Sequence, residues 1–420
     1  MATRTIGIAV ALALALACTI GGEPAWAREP VNVRAEFSKF DPDYKARIAP
    51  WRKQVEALQK AVFGLEAAGQ PSQCAAQALA QLSWRTSNTA DYRAIEADAA
   101  RAADFVAHPG PATGPETQDP ADGAWGRCQT EWFFRLSVSY EAIEALDDVP
   151  PAVAPRFLDR VNDPAALEAY LTGLAVSDIA HQGINGRREL NESLSNLMRL
   201  ILRDQPAGYA WHPGMKAKIM ALINGPLRDP DSRFWGASYR IDGKQVFVPD
   251  LSITFHVVRY LKGDITDWPR VLDTLIEIRD LPYPQGWRQE DGYINHDIYD
   301  VAALFRLGWA HADEAQRDRI RSEVERLLDW SLAHTFTPDG AVVVSENDDS
   351  AETAYYFAVS FLDSVGYFDK SKRFWTDRDF PEAAALATKL RTHIQAGLAS
   401  GTSAEGGAYY RGALEKLDSQ

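Results

Sequence analysis

Asp291-Gly292-Tyr293-Ile294-Asn295-His296-Asp297-Ile298-Tyr299-Asp300-Val301-Ala302-Ala303-Leu304-Phe305 is the stretch on which the reading of this chain turns. It joins three things: an Asp-Gly pair suited to a tight turn, a polar head, and an apolar segment with helical spacing. The same sequence of features recurs at Asp122-Gly123, Asn185-Gly186, Asp242-Gly243 and Asp339-Gly340, with a looser copy at Gly406-Gly407. The copies lie roughly 50–65 residues apart, a period that suits two-helix hairpins with long loops. Thr130-Glu131 leads into WFFRLSVSYEAI, Glu189 and Glu192 into SLSNLMRLIL, Asp250 into LSITFHVVRYL, and Ser350-Ala351-Glu352 into TAYYFAVSFLDSVGYF. Segments apolar nearly all round predict buried helices. Between them, 166–174, 265–279, 314–332 and 381–398 carry a charged face and predict outer helices. An inner row of buried helices with an outer amphipathic row predicts an all-α fold, an (α/α) toroid of about six helical hairpins, with a stacked α-solenoid as the rival.

Working outward, 48–65, 75–82 and 92–106 also have helical spacing, whereas 28–44 reads as an extended lead-in. The Pro/Gly/Thr-rich run 109–120 reads as a loop within one domain, and 239–248 and 341–345 as short β-hairpins in the loops. Residues 1–27 read as a signal peptide: Arg4 gives the charge, 6–20 the apolar run, and Ala25-Trp26-Ala27 the cleavage site. The domain is then expected to span 28–420, in a periplasmic or secreted protein. Cys18 after Ala15-Leu16-Ala17 leaves a lipid-anchored alternative. Otherwise Cys74 and Cys128 remain, and one disulfide or two unpaired thiols both fit. An apolar content of 46% and twelve tryptophans suit a packed core. The net charge of -14 disfavours nucleic acid and anionic membranes as partners. After the signal, no stretch is long enough for a transmembrane helix. Oligomeric state is not legible.

The repeat resembles the α/α-toroid folds over roughly residues 120–370. DGAWGRCQTEWF, DGYINHDIYDVAAL and DGAVVVSENDDSAETAYYFAVSFL are similar to the repeats of terpenoid cyclases and protein prenyltransferases. The second similar group contains the six-hairpin glycosidases and toroidal polysaccharide lyases, often secreted, with acidic or His/Tyr/Arg residues at inner-helix ends. The chain has no D-x-D-D run, no regular Q-x-x-x-G-x-W repeat and no Asp/Cys/His zinc set, and its signal suits extracellular substrates. The resemblance therefore implies a carbohydrate-active toroid with no cofactor or metal.

Within that frame, His296 and Asp300 are four apart on a helix and Asp297 and Asp300 three apart, so an imidazole and carboxylates share a face. The structural alternative is a cap, a dipole partner and one hydrogen bond. The acids Glu346, Asp348, Asp349 and Glu352 head the next inner segment and can supply one of a catalytic pair, although Asp349-Ser350-Ala351-Glu352 also fits a capping box. The expected pair is Asp297 or Asp300 with Asp349 or Glu352. For β-elimination, Tyr299 or His296 would be the base, and Arg188 and Asn191 would neutralise a uronate carboxylate. Glu131, Trp132, Trp235, Asp250, Trp287 and Tyr355 complete the candidate sugar contacts; the aromatic ones serve equally as core. His256, deep in an apolar run, reads as a core histidine. The expected activity is cleavage of a polysaccharide or oligosaccharide, by hydrolysis or elimination. A non-catalytic binding or envelope-assembly protein and an isoprenoid-processing toroid are the alternatives.

Overall fold

A computed structural model describes residues 31–110, 117–290, 292–344, 348, 350–400 and 404–419. The targeting segment with Cys18, together with Asp291, Glu346 and Asp349, lies outside the described residues. The chain is mostly helical. It begins with α1 (Val33–Phe40), where an extended lead-in was expected. Asn32 accepts from the Ala35 amide at 3.0 Å and so starts a helix too short to show periodicity, anchored by buried Phe37. Helices α2 (Tyr44–Ala67), α3 (Gln73–Asn88) and α4 (Tyr92–Ala107) pack on one another. A disulfide joins Cys74 of α3 to Cys128, 54 residues on.

The expected repeat follows in chain order: α5 (Trp132–Leu146), α6 (Pro164–Ala175), the short α7 (Ile179–Gln182), α8 (Arg187–Leu202), α9 (Met215–Asn224), α10 (Leu251–Tyr260) and α11 (Trp268–Glu277). Then come α12 (Asn295–Gly308), α13 (Glu314–His334), α14 (Ala351–Ser364), α15 (Ala383–Ala399) and α16 (Ala404–Asp418). Helix α5 packs on α8, α8 on α10, α10 on α12, α12 on α14 and α14 on α16, so the inner segments form one row. Helices α6 and α9 cover α8, α11 and α13 cover α12, and α15 covers α16. Leu197, Leu200 and Ile201 of α8 are fully enclosed in the main core, each contributing about 1.5–3 kcal/mol by burial. The enclosure is not complete. Three of the inner helices carry a polar stripe: Arg188 and Asn191 on α8, Ser252, His256 and Arg259 on α10, His296 and Tyr299 on α12.

The predicted hairpin at 239–248 is present, with a third strand added. β1 (Val176–Ser177) runs parallel to β2 (Gly236–Ile241), which pairs antiparallel with β3 (Lys244–Pro249), Ser238 facing Phe247. Asp242 and Gly243 both have positive φ, the two-residue turn whose twist matches the strands. At 341–345 the described residues show one bridge, Phe336 to Val342. Gly406-Gly407 lies inside α16, so the sixth turn of the repeat is absent there. Among the described residues no helix is long and apolar enough to cross a membrane.

Candidate functional site

The heads of α8 and α10 are locked together. Arg187 Nε and Nη2 reach the two carboxylate oxygens of Asp250 at 2.6 and 2.8 Å, and Asp250 also caps α10 by accepting from the Ile253 amide. One turn along α8, buried Asn191 donates Nδ2 to Ser252 Oγ at 3.1 Å. That bond turns its Oδ1 to His256 Nδ1, also at 3.1 Å. An amide oxygen accepts only, so Nδ1 carries the proton and Nε2 is left as an acceptor. The ring stacks on Tyr260, with centroids 5.7 Å apart. His256 keeps part of its surface accessible, yet enough protein surrounds it for burial, helped by His296, to push its pKa down to about 3. Water-accessible groups in low-dielectric surroundings mark a narrow crevice.

Helix α12 supplies the opposite wall. His296 stacks on Phe357 of α14 at 4.1 Å and lies 6.0 Å from the Tyr283 ring. Tyr299 meets Phe255 edge-on at 5.5 Å, and burial pushes its hydroxyl up to about 12. Arg259 is exposed and makes no ion pair among the described residues. It lies near Tyr299, Tyr260, Tyr356 and Asp300 and keeps its proton despite partial desolvation. Residues of α10, α12 and α14 thus share one crevice. On α8, Arg188 rests over the face of Phe134 at 5.8 Å, likewise without an ion pair among the described residues.

The acids expected to do chemistry occupy different places. Asp297 is 0% exposed and Asp300 1%. Gln289 donates to Asp297 Oδ2 at 2.7 Å; Asp297 Oδ1 and both oxygens of Asp300 have no hydrogen-bond partner among the described residues. Burial pushes Asp297 up to about 8 and Asp300 well above the usual carboxylate range, with Asp297 adding to the latter. These are enclosed, proton-bearing carboxyls behind the crevice wall, out of reach of a glycosidic oxygen. Asp297 is in the first turn of α12 and is not its cap. Glu352 lies against α16, where a Cβ on Gly406 would stand 2.9 Å from its Oε1. The capping box of α14 uses Ser350 and Thr353. Of the expected partners for Asp297 and Asp300, Glu352 is thus engaged at α16 and Asp349 lies outside the described residues, while Asp348 comes near enough to Asp297 to raise its pKa further.

Several expected sugar contacts are otherwise engaged. Glu131 pairs with buried Arg85, which also holds Asp98 at 2.5 Å. Half-buried Trp132 donates to the Phe157 carbonyl at 2.9 Å, and Arg160 covers its ring. Trp235 and Trp287 are 0% exposed, and Tyr355 is buried beside Tyr410, so these aromatics are core. Asp250 is committed to Arg187. Sequence reasoning missed Arg259 and Tyr283. Spacing alone marked Arg259, three residues after His256 on the same face; nothing local marked Tyr283, which a loop carries in. Among the described residues no three His, Cys, Asp or Glu side chains gather as metal ligands. No protein-family model matches the chain, and no curated protein or solved structure matches it.

Proposed function

We propose that the hairpins bend round a shared axis as an (α/α) toroid, and that the crevice lined by α10, the start of α12 and the middle of α14 cleaves an acidic polysaccharide by β-elimination. The observation that carries this reading is Arg259: a cation without an ion pair among the described residues, in a crevice with Tyr299, His256 and His296. A uronate carboxylate on Arg259 lowers the cost of removing the proton at C5, since the negative charge that develops is already matched. His296 takes that proton. The C4–C5 double bond forms as the C4–O bond breaks, and the departing oxygen receives a proton from the Tyr299 hydroxyl, which burial keeps protonated. Asp297 and Asp300, held neutral by burial, place no negative charge against the incoming substrate. Hydrolysis by a carboxylate pair has less support because those two acids are enclosed.

The test is incubation of the full chain with uronate-containing polymers and with neutral glucans. Elimination predicts an unsaturated, ultraviolet-absorbing product from the uronate polymers only, lost by about 100-fold or more in Arg259→Ala or Tyr299→Phe with the fold intact. New reducing ends without absorbance would replace elimination by hydrolysis. Binding with no cleavage would leave a sugar-binding protein.

A further inference from the structure

A second cavity, of about 260 Å³, opens at the head of α8. This is the room of a single sugar ring, small beside the pockets of roughly 300–1,000 Å³ that take drug-sized ligands. Its walls come from separate parts of the chain: Arg187 and Arg188 of α8, Tyr239 of β2, Val33 of α1, and Pro284. Pro284 follows Tyr283, whose ring is 6.0 Å from that of His296, so the cavity adjoins the proposed reacting centre. Val33 and β2 line it as well, and its volume leaves room for one terminal ring rather than two.

The polar inventory is uneven. The charge of Arg187 is matched by two hydrogen bonds to Asp250. That of Arg188 has only the face of Phe134, with no anion among the described residues. Gln285 also lines the cavity. Asn185 uses its oxygen on the Arg187 amide at 3.2 Å, leaving its NH2 group to donate. One unmatched cation and one donor fit a sugar that has both a carboxylate and hydroxyls; a neutral sugar leaves Arg188 unmatched.

We infer that this cavity is a terminal subsite for one acidic sugar residue, its carboxylate on Arg188, so that the polymer is shortened from its end. The end-acting part rests on the elimination reading above; the binding part does not. The full chain is titrated calorimetrically with galacturonate and glucuronate and with galactose and glucose. These monosaccharides have no glycosidic bond, so the result is independent of turnover. The expected outcome is binding of the acidic sugars at least about tenfold tighter than the neutral ones. Arg188→Gln is expected to abolish that preference and Arg188→Lys to keep most of it, both with unchanged thermal unfolding. Equal binding of acidic and neutral sugars, or a preference that survives Arg188→Gln, overturns the assignment. Acidic-sugar binding without cleavage of any polymer supports the subsite and refutes the reaction. If polymer is cleaved, small products from the outset with slowly falling viscosity support action from the end, and an early mixture of long fragments overturns it.

Discussion

Replacing Asp297 by Asn is expected to flatten the loss of stability that the protein suffers as pH rises through neutrality. In an unfolded chain an aspartate gives up its proton near pH 4. In the fold, burial keeps the proton on Asp297 until about pH 8. Between these values the folded chain holds one proton more than the unfolded, so stability falls as pH rises; it is complete below about pH 4 and the loss is finished above about pH 8. At about 1.4 kcal/mol per unit, the window is worth about 6 kcal/mol, a large part of the stability of an ordinary domain. His256 acts in the opposite sense. Burial holds it neutral down to about pH 3, so between there and about pH 6.5 the unfolded chain binds the extra proton and stability rises with pH. The two effects oppose each other in acid, and the clean window is about pH 6.5 to 8, where Asp297 alone of this pair moves stability by about 2 kcal/mol. Asp300 and Glu189, also raised by burial, share its sign, so the comparison is between wild type and Asp297→Asn under identical conditions. The amide keeps an oxygen for Gln289 and has no proton to lose. Urea unfolding followed by tryptophan fluorescence across pH 6.5–8 reads the slope, and a constant offset between the proteins does not enter. Parallel curves would mean that Asp297 is already ionised at neutral pH, and the picture of enclosed, protonated carboxyls would fall.

Other expectations concern the frame around the crevice. Asp250→Ala removes the cap of α10 and leaves Arg187 enclosed without its partner, so a loss of about 3–5 kcal/mol is expected by denaturant unfolding; a loss below 1 kcal/mol would show that the pair is solvent-screened. Reducing the Cys74–Cys128 bridge opens a long loop and should cost about 4 kcal/mol, read as a lower unfolding midpoint in reductant. An unchanged midpoint would show that the bridge contributes nothing.

The row of inner helices was legible because each apolar segment, such as 298–309, has helical spacing over more residues than an ordinary strand. The outer helices were legible from their interspersed charges. Helix α1 was hidden because eight residues give no periodicity to count and its start depends on one Asn32 side chain. The parallel pairing of Val176–Ser177 with β2 is a contact some 60 residues away, which local pattern does not encode. In the site, spacing placed His296, Tyr299 and Asp300 on one helix but gave no depth: Asp300 turns to the core while Arg259, inside an apparently apolar run, reaches water. Trp235 and Trp287 stand outside helices and strands yet are enclosed, because tertiary packing decides burial where periodicity is silent.

A crystal structure of the full chain with an acidic oligosaccharide tests the central claim most directly. Sugar carboxylates at Arg259 and Arg188, with a ring beside His296 and Tyr299, are the predicted result. An oligosaccharide that contacts neither Arg259 nor Arg188 would contradict it.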